Sequence, residues 1–297
     1  MLCLSSLSWA AQVRAQEETK TIWLDTMHMH ISQSVQSSAQ WFDNFFVDEQ
    51  FELTEKAKAQ ARISLAWEPR TRALGEFETR IRLRARLPNL KNQVDVIFSD
   101  FDEEQENTTV RAAQNEELQR RNRFNLAVRF RKKDDSPWSH RVGIGRKAQP
   151  FVRSTYYAGH EINEKSSVKF QASGYFYSSD GLGSTLQLQY DRDLSSNYLF
   201  RFDNRFFYRD EFNDWLWQHS WFLYQQKNEK TALVYGLFLE GNSQPNYQVN
   251  EYLASAKIRK NAVRDWLFFE LEPFVMWPRD ESFRASYGMA MRVEGFF

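Results

Sequence analysis

Nucleophilic or metal chemistry in this 297-residue chain would have to be built from five histidines and a single cysteine. His219 lies in WLWQHSWFLY with Ser220 beside it, and His140 follows Ser139. A serine hydrolase acting on lipid needs hydroxyl, imidazole and an orienting polar group on one surface. Neighbouring residues of a strand point to opposite faces, so neither pair can act alone. Either histidine could still meet a partner from an adjacent strand, which keeps an outer-membrane lipid hydrolase as a remote alternative. Trp215, Trp217 and Trp221 around His219 fit an interfacial belt better. His28 and His30, in HMH, could share a metal with a third group, but two histidines in a polar leader read as exposed side chains. The run DFDEEQE supplies Asp100, Asp102, Glu103, Glu104 and Glu106, yet lacks the ordered glycine and terminal glutamate of a calcium loop; it reads as a solvated acidic loop. Cys3 is the sole cysteine, so the rest of the chain holds no disulfide or cysteine metal site. The expectation is no enzyme, no metal and no cofactor.

The stronger chemical signal is electrostatic. Lysine and arginine number 39, aspartate and glutamate 39, so the formal charge is zero and nothing suggests a nucleic-acid partner. The charges are not scattered. In 76–87, Phe77, Thr79, Ile81, Leu83, Ala85 and Leu87 alternate with Glu76, Glu78, Arg80, Arg82, Arg84 and Arg86. In 198–209, Tyr198, Phe200, Phe202, Asn204, Phe206 and Tyr208 alternate with positions that include Arg201, Asp203, Arg205 and Arg209. Strict alternation places apolar and charged residues on opposite faces of a strand, whereas a helix would spread the charges around its circumference.

If the apolar face looks outward, the charged face lines a lumen. Its expected basic positions are Arg62, Arg80, Arg82, Arg84, Arg86, Arg129, Arg131, Arg201 and Arg205, and its acidic ones are Glu76, Glu78, Asp95, Asp203, Glu240, Glu270, Glu272 and Glu294. The arginine-rich early strands and the carboxylates of the late strands would form opposed walls with a transverse field across a constriction. The plainer alternative is that arginines and carboxylates on neighbouring strands simply pair and close the lumen.

The elements required are therefore strands. Similar alternation recurs from about residue 57 to the C-terminus, between short polar connections. Counting these runs gives an all-β, transmembrane antiparallel β-barrel of about fourteen strands, each about 9 to 14 residues long. The stretch 138–162 could be one bent strand or two, so twelve strands is the alternative. With the first strand running outward, PNLKN, KKDDSPW, NEKS, DLSSN, QKNEK and KNAVRD become periplasmic turns, and the longest connection, 102–122, falls outside. Mean hydropathy is −0.66, which a barrel tolerates because only alternate residues meet lipid.

Residues 1–15 read as the remnant of a secretory signal, with Val13 and Ala15 placed for cleavage before Gln16. Residues 16–56 read as a periplasmic helical and linker segment, and 57–297 as the barrel. Within 27–56, Ile31, Val35, Ala39, Phe42 and Phe46 recur at helical spacing beside Trp41 and Phe45, an amphipathic helix. It would cap the periplasmic mouth or, alternatively, plug the lumen.

The final YGMAMRVEGFF resembles the β-signal read by the barrel assembly machinery of Gram-negative bacteria: Tyr287, Met289, Met291 and Val293 alternate up to terminal Phe297, with Gly295 departing from the usual apolar residue. Through RFFYRDEFNDWLWQHS, VYGLFLEG and RDWLFFELEPFVMWPRD the chain also resembles an uncharacterised family of proteobacterial outer-membrane β-barrel proteins. That resemblance implies fold and location: the cell outer membrane, with the N-terminal segment and C-terminus periplasmic. It implies contact with outer-membrane lipid, lipopolysaccharide and the assembly machinery, without an activity. A monomer is expected, not a trimeric general porin. Two functions remain: a narrow channel for small polar or charged solutes, or a closed-lumen structural or envelope-interaction barrel.

Overall fold

Alternation dictates strands, and strands with one apolar and one charged face must close on themselves to leave no unpaired edge. The computed structural model describes residues 41–42, 45, 59–71, 77–86, 94–99, 125–131, 136–145 and 148–297. Its strands are β1 (Ala59–Trp67), β2 (Phe77–Arg86), β3 (Val94–Ser99), β4 (Asn125–Phe130), β5 (Trp138–Ile144), β6 (Pro150–Asn163), β7 (Ser166–Tyr177), β8 (Gly181–Ser195), β9 (Tyr198–Arg209), β10 (Asp214–Asn228), β11 (Thr231–Asn242), β12 (Gln248–Asn261), β13 (Leu267–Pro278) and β14 (Ser286–Phe296). Each pairs antiparallel with its sequence neighbours, and β1 pairs with β14 to close the barrel. The seam sets Arg62 opposite Phe296 and Trp67 opposite Met291. It is finished by reciprocal backbone bonds of 2.9 and 2.8 Å between Ala61 and Phe297.

Fourteen strands are present, not twelve, and 138–162 contributes two of them, turned between Gly145 and Gln149 by a 2.9 Å backbone bond. Three strands are shorter than the sequence suggests: β3 and β4 have six residues and β5 seven. The start of β1, the end of β14 and the connections β4–β5, β6–β7, β8–β9, β10–β11 and β12–β13 share one end of the barrel; the β3–β4 connection joins strands at the other, and its residues 102–122 lie outside the described residues.

Burial alternates with the same period as the sequence. On β1, Ser64 and Ala66 are buried while Ile63 and Leu65 are exposed, Leu65 by 54%. The outward face of β13 reads Phe269, Leu271, Pro273, Val275, Trp277, with an aromatic ring at each end, while Glu270, Glu272, Phe274 and Met276 are buried inward. Aromatic pairs recur at both ends of the exterior: Trp266 on Phe297 and Trp138 on Tyr156 at the terminal end, Tyr208 on Trp215 and Trp67 on Phe77 at the other. Strands about 4.8 Å apart and tilted about 40° close fourteen-fold around a cylinder about 28 Å across, wider than two facing arginine side chains can span.

Candidate functional site

The inward face carries its charge in connected clusters. On β12–β14 and β1, Glu270 accepts from Arg259 (2.5 Å), Arg292 (2.7 Å) and Lys257 (3.3 Å). Arg259 also reaches Glu294 at 2.7 Å, and Glu294 accepts from Arg62 at 2.7 Å across the seam. Register explains the pattern: Arg259 lies opposite Glu270, Glu270 opposite Arg292, and Glu294 opposite Ser64, one inward position from Arg62. Glu272 is buried beside this group. Glu270 thus serves three cations at once, of which Arg259 also has Glu294 as a second partner.

A second cluster centres on Asp95 of β3, which accepts from Arg84 at 3.0 Å and Arg129 at 2.6 Å. A third joins Arg201 to Asp191 through two bonds of 2.7 and 2.9 Å, with the Lys169 ammonium 3.9 Å away. Asp203 accepts from Arg205 at 3.0 Å and Gln187 at 2.7 Å, and Arg209 pairs with Asp214 near the opposite end from the termini. Every one of these pairs joins residues of one strand, adjacent strands, or strands one apart, so they run around the wall rather than across the lumen.

Of the remaining expected positions, Arg80 and Arg82 are half-buried on the inward parity of β2 and Glu240 is half-buried on that of β11. Arg131 follows β4 on the same parity as Arg129. Glu76 and the side chains of Glu78 and Arg86 lie outside the described residues. Opposed walls are not what closure produces. Because β1 pairs with both β2 and β14, the arginines of β2 stand beside the carboxylates of β13 and β14, three strands apart at most. The sequence reading also passed over Arg141 and Arg153, which register sets directly opposite each other on β5 and β6. Neither alternates cleanly in RVGIGRKAQPFVRS, so only strand pairing could reveal them.

Of the three strand histidines, His219 and His140 find partners on the outward face. His219 Nδ1 lies 2.5 Å from Asn204 Oδ1, within the rings of Phe206, Trp217 and Trp221. Its cross-strand neighbours there are Asn204 and Leu239, and Ser220 is buried inward, so this imidazole has no hydroxyl to activate among the described residues. His140 Nδ1 lies 2.9 Å from Ser154 Oγ. His28, His30 and the acidic run 100–106 lie outside the described residues; among the described residues no group of three metal-ligating side chains occurs.

The inward face is apolar over one arc. Leu199, Phe222, Tyr224, Ala232, Val234, Phe238, Leu253, Phe274 and Met276 form a buried cluster from β9 to β13. Of the expected amphipathic helix, Trp41, Phe42 and Phe45 are described and helical; the remainder lies outside the described residues. Phe42, 1% exposed, meets the Tyr224 ring at 5.1 Å, and Phe45 meets Phe268 at 5.8 Å, so these rings sit within the barrel at its terminal end.

No protein-family model matches the chain, and no curated protein matches it. Among solved structures, it is similar to a KdgM porin (8% identity, 79% of this chain and 98% of that one, TM-score 0.39). A low-pH structure of Pseudomonas putida OprB aligns with 12% identity over 80% and 91% of the two chains at a TM-score of 0.47. A bacterial polysaccharide outer membrane secretin aligns with 7% identity over 80% and 97% at 0.48. Likeness at this level carries no inference about solute, partner or mechanism.

Proposed function

We propose that the chain spans the outer membrane of a Gram-negative cell as a monomeric barrel and conducts small charged solutes. The exposed apolar exterior, ringed at both ends by aromatics, matches a hydrocarbon slab bounded by two interfaces. One observation carries the conduction reading: the ion pairs between described residues run around the circumference of a cylinder about 28 Å wide, whose interior is open to water, solute or the chain's own segment. In this orientation the start of β1 and the end of β14 face the periplasm, the β3–β4 connection is on the side of lipopolysaccharide, and the strand leading to Phe297 is the segment engaged by the barrel assembly machinery.

A second reading, a closed barrel that serves envelope structure or interaction, draws on one specific observation. Phe42 is seated on the apolar arc, and Leu199, Ala232 and Val234 there have no exposed surface. Single-channel recording in planar bilayers separates the two. Discrete conductance steps from the refolded protein support conduction, and persistently silent bilayers support the closed barrel.

A further inference from the structure

We propose that the end of β6, residues 158–163, is a docking edge to which a periplasmic protein adds an extended, basic segment as one more strand. The compartment rests on the orientation put forward above; the edge itself stands on strand pairing. β6 pairs with β7 from Phe151, opposite Tyr177, to Asn163, opposite Ser166. Its pairing with β5 runs only from Pro150 to Tyr156. The cause lies just before β5. The Tyr157 N–H donates to the Pro137 carbonyl at 2.8 Å, and the return bond cannot form because proline has no N–H. The ladder stops there, and β6 runs on toward the terminal end of the barrel with a neighbour on one side.

In an antiparallel strand the N–H and C=O of one residue point to the same side, and successive residues point to opposite sides. Tyr157 donates toward β5, whereas the Pro150 carbonyl accepts from Ser178, just after β7, so odd-numbered residues face β5 and even-numbered ones face β7. Gly159 and Glu161 therefore each turn an N–H and a C=O away from the sheet, and among the described residues no strand pairs with them there. A register shift between Glu161 and Asn163 ends the regular stretch, so the edge offers four backbone groups. Residues 158–163 are all exposed. Open edges of this kind are templates for another extended chain.

Side chains select the occupant. Ile162 is 54% exposed and lies past the Trp138 and Tyr156 rings that mark the interface, and Leu194 of β8, 53% exposed, lies past the register of Ser166, the first residue of β7. Apolar surface at that depth meets water, not lipid. On the inward parity Glu161 is opposite Ser167, and its diagonal neighbour Lys169 reaches Asp191. An added strand would thus set a lysine or arginine opposite Glu161 and an apolar residue beside Ile162. A second copy of this chain does not fit the edge. Copies inserted in the same sense are related by an axis along the membrane normal, so β6 of each runs toward the same side, and strands tilted about 40° would cross instead of pairing.

The test is amide hydrogen exchange of the full chain in nanodiscs of zwitterionic lipid, with and without a synthetic octapeptide of alternating valine and lysine. The peptide should slow exchange at Gly159 and Glu161 about tenfold and leave His160, whose N–H turns to β7, unchanged; a valine and glutamate counterpart should slow neither. Gly159→Pro removes an N–H that the barrel leaves unpaired, so the variant should fold and bind the basic peptide about tenfold more weakly. Should it not fold, Glu161→Pro serves the same end. Unslowed exchange with the basic peptide, equal slowing by both peptides, or peptide binding that the proline leaves intact would overturn the docking edge. In cells, Ile162→Cys in a Cys3→Ser background should react with a membrane-impermeant maleimide only once the outer membrane is permeabilised. Labelling of intact cells would end the periplasmic orientation, while protection of Gly159 and Glu161 by the basic peptide would still uphold the edge.

Discussion

Substituting Phe202 by arginine tests which face of the wall meets lipid. Phe202 is central in β9, on the outward parity, and its ring stacks on Trp221 with centroids 5.3 Å apart. An arginine at the bilayer midplane on the lipid face costs about 2 to 4 kcal/mol. Loss of the ring pair adds about 0.5 to 1.5 kcal/mol, giving roughly 3 to 5 kcal/mol in all. The matched control places a cation inward: Gln189 of β8 is opposite Asp203 and donates to Asp191 at 2.8 Å, so Gln189→Lys adds charge beside two carboxylates. That change should alter stability by less than about 1 kcal/mol. Reversible urea unfolding from phospholipid vesicles, followed by tryptophan fluorescence and by gel mobility with and without heating, gives both values. A wild-type midpoint for Phe202→Arg together with strong destabilisation by Gln189→Lys would show that the faces are inverted, since a one-residue slip exchanges them.

Glu270→Gln should cost about 3 to 5 kcal/mol in the same unfolding assay, because it removes the buried carboxylate that Lys257, Arg259 and Arg292 share, even though Arg259 keeps Glu294. Arg201→Gln, which a wet lumen alone would tolerate, should instead be destabilising by a similar amount, since Asp191 is 2% exposed and takes two bonds from that guanidinium. Phe297→Ala keeps the backbone bonds to Ala61 but loses the ring contact with Trp266, and should lower the amount assembled in cells, read as protease-sensitive periplasmic protein, more than the stability of the barrel once folded. Phe42→Glu with Phe45→Glu should unseat the aromatic segment from Tyr224 and Phe268 and raise mean single-channel conductance; unchanged conductance would remove the segment from the conducting path.

What the sequence revealed and what it hid follow from the range of each interaction. Faces were legible where both sides of a strand differ in polarity, as in 76–87 and 198–209, because alternation is a local property. On β11, TALVYGLFLEGN is apolar on both faces; Val234 and Phe238 turn inward to the apolar arc while Leu237 is exposed, and local pattern cannot distinguish them. The charged positions were individually visible, but their partners were not: Arg62 and Glu294 are 232 residues apart and meet only at the seam. For the same reason two distant walls were expected where closure makes neighbours. Arg141 and Arg153 stayed hidden because Gly143 and Gly145 interrupt the alternation between them.

Single cysteines placed in turn at positions 184 to 190 of β8, in a chain with Cys3 replaced by serine, test the central claim of a lipid-facing exterior around an aqueous, charged interior. A fluorophore at 184, 186, 188 or 190 should be quenched by nitroxide-bearing lipid and spared by aqueous iodide; at 185, 187 or 189 the order should reverse, a strict period of two. Equal iodide quenching at every position, or lipid quenching at the odd positions, would contradict a membrane-spanning barrel with this lumen.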